Sequence, residues 1–176
     1  WQPSPMIVNY RMNAGYIPAD HWVHGPQGGG RNIGEGCHIY DLFNALTGST
    51  PVEVNAMSIV PESKYWLRND NFNATVRYAD GSVCTLTYTA MGSKSYAKER
   101  ADIFVDGKVL TLDDYKQLTV VGGSGGWKGT TMQKGQQEEL AALAETLRKG
   151  AAWPISLEDQ IFATRISFEV EKQIAL

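Results

Sequence analysis

One stretch near the middle of the chain decides the fold class: Asn71-Phe72-Asn73-Ala74-Thr75-Val76-Arg77-Tyr78, then Ala79-Asp80-Gly81, then Ser82-Val83-Cys84-Thr85-Leu86-Thr87-Tyr88-Thr89-Ala90. On both sides of the Asp-Gly pair, β-branched and aromatic residues alternate with polar ones. Asp-Gly between two such runs is a strong signal for a tight turn joining antiparallel strands. The pattern therefore predicts a β-hairpin over 71–90, and a second one over 101–112 across Asp106-Gly107.

The segments around these hairpins predict the remaining elements. Strands are expected over 6–13, 52–59 and 117–121, and the glycine-rich segment 122–126 is expected to be a mobile loop. Apolar residues at three- and four-residue spacing predict helices over 31–47, with Gly48 as the stop signal, and over 136–149. A third helix is expected from the N-cap Ser156 onward, with Phe162, Ile166, Val170 and Ile174 at intervals of four. A strand, a helix, a run of antiparallel strands and two helices indicate one α+β domain over 1–176, with helices on one face of a sheet.

Composition and charge exclude several classes of protein. Sixteen Lys and Arg against nineteen Asp and Glu leave a net charge of −3 with no basic run, so nucleic acid is not an expected partner. No apolar run is long enough to span a bilayer, and membrane association is not expected. Cys37 and Cys84 are too few for a disulfide framework, which favours core packing for both and a cytoplasmic location.

The glycines at 28–36 do not form a known phosphate-binding motif. The dinucleotide fingerprint requires glycine at three set spacings, and Ile33 or Ile39 occupies the third. The glycines are expected to let the backbone pass closely at a helix N-terminus, where free N–H groups favour polar or anionic ligands.

His38 is the ionisable residue with the strongest case for a catalytic role. Glu35 and Asp41 lie three residues before and after it, so a carboxylate on the same helix face could orient the imidazole for general acid–base catalysis. The alternative is a buried structural histidine bonded to Asp41. His21 and His24 lack metal-ligand spacing, and no metal site is predicted.

Other candidates have an equally ordinary alternative. Lys134 lies just before a helix and could bind an anionic substrate, or it could be a solvated lysine. Tyr16 and Trp22 could stack on a sugar ring or pack on the core. Thr, Tyr and Arg alternate along the central hairpin, so the sheet face away from the helices is either a dimer surface or a solvated one.

Several stretches together resemble the C-terminal half of oxidoreductases of the glucose–fructose oxidoreductase / inositol dehydrogenase / MocA (Gfo/Idh/MocA) family. They are Asn9-Tyr10-Arg11-Met12-Asn13-Ala14-Gly15-Tyr16-Ile17-Pro18, Gly28-Gly29-Gly30-Arg31-Asn32-Ile33-Gly34-Glu35-Gly36-Cys37-His38-Ile39-Tyr40-Asp41-Leu42, Leu46-Thr47-Gly48, Lys134-Gly135 and Pro154-Ile155-Ser156-Leu157-Glu158-Asp159.

The resemblance implies a large, mostly antiparallel sheet with helices on one side. It also implies that an N-terminal Rossmann domain for NAD or NADP is absent from this chain, which begins at Trp1 and is expected to be a fragment of a longer oxidoreductase. Such enzymes transfer hydride between nicotinamide and a sugar or cyclitol carbon. His38 matches the family's proton-transfer histidine, whereas the family's acidic position is Gly34 here and the carboxylate is at Glu35.

The expected site therefore has His38 and Glu35 in catalysis and Asp41 supporting His38. The expected substrate-binding residues are Asn13, Tyr16, Arg31, Asn32 and Lys134. The resemblance also implies a sugar-like substrate and a homodimer or tetramer formed through the open sheet face. The isolated domain is expected to be inactive. The alternative is a non-catalytic module that binds sugar or dimerises.

Overall fold

The structure, a computed structural model, describes residues 4–63 and 65–175. Over these residues the chain forms eight strands and three α-helices. The strands are β1 (Ile7–Asn13), β2 (Pro51–Ser58), β3 (Asn71–Tyr78), β4 (Val83–Thr89), β5 (Glu99–Val105), β6 (Lys108–Asp113), β7 (Gln117–Val121) and β8 (Gly126–Lys128). The helices are α1 (Cys37–Thr47), α2 (Gln136–Lys149) and α3 (Leu157–Ile174).

All eight strands belong to one sheet with the order β2-β3-β4-β1-β5-β6-β7-β8. The first strand lies in the middle, parallel to β4 with Asn9 opposite Thr85, and antiparallel to β5 with Asn9 opposite Asp102. Every other neighbouring pair is antiparallel. The predicted α+β class with a large, mostly antiparallel sheet is confirmed, and so are both predicted hairpins.

The core lies between one face of the sheet and the helices α1 and α3. Alternate residues of β1, including Tyr10 and Met12, point into it and are almost fully buried. Tyr40 and Phe43 of α1 meet them from the helix layer, and Tyr10 and Phe43 pack edge to face with centroids 6.4 Å apart. On α3, the predicted four-residue stripe places Ile166, Val170 and Ile174 in the same core. Burial of this face is what holds the sheet and the two helices together.

The opposite face of the sheet is largely polar. Asn9 and Arg11 alternate with the buried residues of β1, and the hydroxyls of Thr75 and Thr85 meet across β3 and β4 at 3.1 Å. This is the face left open by the one-sided helix layer.

Two local features differ from the sequence prediction. The segment expected to start the first helix forms a π-helical turn, Asn32–Gly36, before α1 begins. The expected glycine loop ends at Gly125, because Gly126 begins β8 opposite Thr119. A side chain at Gly126 would come within 2.6 Å of the Leu118 carbonyl oxygen, so only glycine permits this close pairing.

Helix ends follow the predicted signals. Gly48 ends α1 in the left-handed conformation and donates its N–H to the Asn44 carbonyl at 2.8 Å. Ser156 caps α3 by accepting from the Asp159 N–H at 3.0 Å. None of the helices in the described part of the chain is long and apolar enough to cross a membrane.

Helix α2 packs far less than its pattern predicts. Its apolar stripe includes Leu140 and Leu147, which are 65% and 67% exposed, and Thr146 is its buried residue. The apolar stripe of α2 therefore remains exposed in this chain, where another protein surface could pack against it.

Candidate functional site

A partly buried charge cluster surrounds the carboxylate of Glu35. Its Oε1 atom lies 2.7 Å from the Lys98 ammonium, and its Oε2 atom accepts hydrogen bonds from Arg31, at 3.1 Å, and from the Tyr88 hydroxyl. The π-helical turn before α1 places Glu35 beside the end of β4, where its carboxylate contacts the buried Tyr88. We call these four residues the Glu35 cluster.

The Glu35 cluster keeps its carboxylate ionised. Burial by itself would raise the pKa of Glu35, but hydrogen bonds from Lys98 and Tyr88 and the charges of Lys98 and Arg31 outweigh it and lower that pKa to about 2. Burial and the neighbouring Glu35 charge raise the pKa of Tyr88, so this phenol stays protonated and acts as a donor.

Arg31 ties this cluster to the loop that follows β1. Its guanidinium donates to the Gly15 carbonyl at 2.6 Å and to the Ala14 carbonyl at 3.2 Å, and it lies 5.3 Å from the centre of the Tyr88 ring. Arg31 is only 4% exposed. Its donors are thus engaged within the protein, and it fixes the start of the loop rather than presenting a free cation.

A second carboxylate, that of Glu99, is fully buried and lies at the start of β5, which is next to β1 in the sheet. Its side chain is 2% exposed, and it accepts from the Tyr10 hydroxyl at 2.5 Å and from Lys134 at 2.6 Å. The Lys134 ammonium also lies 5.1 Å from the ring centre of Tyr115. The ion pair between Lys134 and Glu99 therefore connects the segment before α2 to the sheet.

His38 lies apart from both carboxylates. It is exposed on the wall of a groove of about 510 Å³ between the start of α1 and the two later helices. Cys37 and Asp41 share this wall, and Leu140, Trp153 and Ile155 line the opposite side. Burial and the Asp159 charge raise the pKa of Asp41, while a charge on His38 lowers it. Cys37 is half-buried in this groove rather than in the core, whereas Cys84 is fully buried as predicted.

The structure does not join His38 to the two acids as the sequence suggested. Among the described residues, no hydrogen bond links His38 to Glu35 or to Asp41, and both Glu35 oxygens are already engaged. The physical reason is the π-helical turn, which changes the rotation between positions 35 and 38 from that of a regular helix. Asp41 shares the groove with His38 but does not hold its imidazole.

The remaining predicted binding residues are also engaged within the protein. Asn32 is completely buried and bonds to the Ser167 carbonyl and to Glu171, at 2.8 and 3.0 Å. Asn13 donates to the Ser93 carbonyl at 2.8 Å. Tyr16 is partly exposed and stacks on Tyr65. Of these candidates, Tyr16 has the surface most open to a ligand.

The other histidines have structural neighbours. The His24 Nε2 atom lies 3.6 Å from a carboxylate oxygen of Asp70, with both side chains buried, and the His21 Nδ1 atom accepts from the Val23 N–H at 3.3 Å. Within 4–63 and 65–175, no group of three His, Cys, Asp or Glu residues could hold a metal ion.

The glycine cluster is used for close packing. A side chain at Gly28 would come within 2.4 Å of the Val23 backbone, and the Gly30 N–H donates to the Val23 carbonyl at 2.9 Å. This leaves the segment folded on its own loop instead of forming a cradle for phosphate. The described residues therefore do not fit a dinucleotide cofactor by themselves.

Sequence analysis did not identify four residues of these two clusters: Tyr88, Lys98, Glu99 and Tyr115. Each reaches its partner from a different strand or turn. The Tyr88 and Glu99 side chains follow ordinary strand alternation, so no local spacing marks them.

Comparison with known proteins gives one family. A family model described as the GFO/IDH/MocA C-terminal domain matches residues 5–123, about two thirds of the chain. No match was found among curated proteins.

Solved structures share the fold at low sequence identity. UDP-N-acetylglucosamine 3-dehydrogenase GnnA from Acidithiobacillus ferrooxidans superposes with a TM-score of 0.76 at 15% identity, over 97% of this chain and 54% of that one. An oxidoreductase domain protein from Kribbella flavida gives 0.76 at 17% identity, over 99% and 58%. Aldose-aldose oxidoreductase from Caulobacter crescentus gives 0.74 at 16% identity, over 99% and 54%.

This chain thus spans little more than half the length of those proteins, and the likeness to them concerns the fold. The family itself rests on the matching model, which covers β1 to β7, α1 and the wall of the groove that carries His38. The chain belongs to the GFO/IDH/MocA family, as a C-terminal domain.

Proposed function

We propose that this chain is the substrate-binding half of an NAD(P)-dependent oxidoreductase that transfers hydride to or from a sugar- or cyclitol-like substrate. Members of the family are oxidoreductases that generally use NAD(P). The observation that carries the proposal is the placement of His38, an exposed imidazole on the wall of a groove large enough for a small ring.

The chemistry of the reaction requires a group such as His38. A carbinol carbon can release hydride only if its hydroxyl proton leaves as well, and imidazole exchanges protons near neutral pH. In the proposed reaction, His38 takes that proton when the substrate is oxidised and returns it on reduction. The nicotinamide would supply the hydride chemistry when bound.

The cofactor would be NAD or NADP held mainly by a domain outside this chain, since the described residues form no dinucleotide cradle. The exposed apolar residues around the groove support this division. Leu140 and Trp153 are 65% and 63% exposed beside His38, and such a surface suits cover by a second domain. By itself the chain is then expected to be inactive.

The test uses the complete gene product. Replacing His38 with Ala is expected to lower turnover of the oxidised substrate by about 100-fold, because the hydroxyl proton loses its acceptor. His21→Ala is the matched control, since His21 is an exposed histidine on a different loop. The His21→Ala protein should turn over substrate at the wild-type rate. Unchanged turnover in the His38→Ala protein would show that this histidine is structural.

A specific observation favours a second candidate. Both oxygens of Glu35 are committed to Arg31, Tyr88 and Lys98. The family resemblance also implies that Gly34 stands at the usual position of an acid. A module that binds sugar or dimerises without catalysis would tolerate this arrangement. Complete absence of NAD(P)-dependent turnover in the full gene product, with sugar binding retained, would select this candidate.

We also propose that the open sheet face forms a homodimer or tetramer contact. Ile7 and Phe104 lie directly opposite each other on β1 and β5, and they remain 55% and 43% exposed. An apolar pair within a polar sheet face suits the centre of a symmetric contact.

A further inference from the structure

Two separate loops bring three aromatic side chains together near the Glu35 cluster. The rings of Tyr16 and Tyr65 are stacked, with centroids 4.4 Å apart and 7° between their planes. Trp66 stands edge-on to both, at 5.7 Å from Tyr16 and 4.7 Å from Tyr65. Tyr65 is nevertheless 54% exposed. We call this group the aromatic platform; it offers solvent a ring face that the fold itself does not use.

The platform is anchored on both sides. Arg31 holds the carbonyls of Ala14 and Gly15, immediately before Tyr16. On the other loop, the Leu67 carbonyl directly after Trp66 accepts from the Asn71 side chain at 3.0 Å, at the start of β3. A platform held in place before binding loses little conformational entropy when a ligand stacks on it.

A cation lies next to the platform. The aliphatic part of Lys94 passes over Gly15, where a Cβ atom would be 3.7 Å from the Lys94 Cε atom. Lys98 and Lys134 are both paired with glutamates, but Lys94 is exposed and has no carboxylate partner in the described ranges. Its charge therefore remains available to an anionic group one residue away from Tyr16.

We propose that the aromatic platform and Lys94 form a binding subsite for an anionic carbohydrate. A pyranose ring places its C–H face on the exposed ring of Tyr65, with Trp66 at its edge, and its carboxylate or phosphate group binds the Lys94 ammonium. Aromatic faces suit the apolar side of a sugar ring, and lysine is a common point charge for such anions. This inference rests on the proposed function and narrows its substrate class.

The first experiment titrates the chain with glucose, glucuronate and glucose 1-phosphate by isothermal titration calorimetry. Both anionic sugars are expected to bind about tenfold more tightly than glucose, because only they reach Lys94. The tighter of the two identifies carboxylate or phosphate as the natural group. Since the subsite is complete within this chain, failure of all three sugars to bind would overturn the proposal.

Substitutions separate the ring contact from the charge. Tyr65→Ala should weaken binding of the preferred anionic sugar by about tenfold, whereas Tyr65→Phe should retain it. Lys94→Gln should remove the preference for anionic sugars and leave glucose binding unchanged. The matched controls are Trp127→Ala, an exposed aromatic residue on β8, and Lys108→Gln, an exposed lysine on β6.

Two results would contradict the subsite: wild-type affinity in Tyr65→Ala, or equal affinity for glucose and the anionic sugars. These are distinct from failure of the proposed function. If sugar binding depends on the platform but the complete gene product shows no turnover, the subsite stands and the oxidoreductase proposal fails. If Tyr65→Ala turns over substrate with an unchanged KM, the oxidoreductase proposal stands and the subsite fails.

Discussion

The ammonium of Lys134 lies 2.6 Å from a carboxylate oxygen of Glu99, a residue that is 2% exposed and 35 positions away in the chain. The contact joins the segment before α2 to the centre of the sheet. Glu99 has no other cationic partner in the described structure, so its buried charge depends on Lys134.

Removing that cation should destabilise the domain. We expect Lys134→Met to lower the free energy of unfolding by about 1–3 kcal/mol, because it leaves a buried carboxylate uncompensated, while the partial exposure of Lys134 limits the loss. Urea denaturation measures the change. Adding Glu99→Gln to the same protein should recover most of the stability. If Lys134→Met alone unfolds at the same urea concentration as the double variant, the ion pair contributes little to stability.

The Glu35 cluster should make stability depend on pH in the acid range. The folded-state pKa of Glu35 is lowered to about 2 from an ordinary value of 4.5, so folding is favoured by the ionised form. This contribution is fully present above pH 4.5 and is lost as the pH falls toward 2. Denaturation curves collected across this range should show a steeper loss in the wild-type protein than in Glu35→Gln. Parallel pH profiles for the two proteins would refute the assignment.

Arg31 should be irreplaceable by lysine. A single ammonium cannot reach Gly15, Ala14 and Glu35 together, so Arg31→Lys should cost about 2 kcal/mol and loosen the loop over 14–30. Hydrogen–deuterium exchange should rise in that loop. Arg77→Lys is the control, because its side chain is 61% exposed and its loss should be small. Unaltered exchange over 14–30 would mean that the loop is held by other contacts.

The proposed sheet contact can be tested by introducing a charge. Phe104→Lys should shift the species measured by sedimentation toward the monomer, because a lysine pair at the centre of a symmetric contact repels. Val60→Lys is the control, since Val60 is 78% exposed and lies beyond the end of β2. If the wild-type chain is already monomeric at micromolar concentration, the open face is solvated.

The local patterns of this sequence were sufficient for most of the elements, with β8 and the π-helical turn Asn32–Gly36 as the exceptions. The Asp80-Gly81 and Asp106-Gly107 turns, the Gly48 and Ser156 helix signals and the α3 stripe all appear where the residues predict them. These features depend on contacts within a few residues, so the sequence carries their full physical cause. The family resemblance extended the same information to the large antiparallel sheet.

Position in space was decided by tertiary structure. The insertion of β1 between β4 and β5 depends on contacts between residues more than 70 positions apart, for example Tyr10 with Leu86 and with Ala101. No local pattern encodes such a pairing, since many strands could satisfy the same alternation.

The site shows the same division between sequence and structure. Residue type marked His38, Glu35 and Lys134 as candidates, because ionisable residues beside glycine loops and helix starts are chemically conspicuous. Only the folded chain placed Glu35 on Lys98, Lys134 on Glu99 and His38 in a separate groove. The reason is that a buried charge is stable only where an opposite charge or hydrogen bonds offset its desolvation cost. Tertiary packing, and not spacing along the chain, determines which residue is close enough to do so.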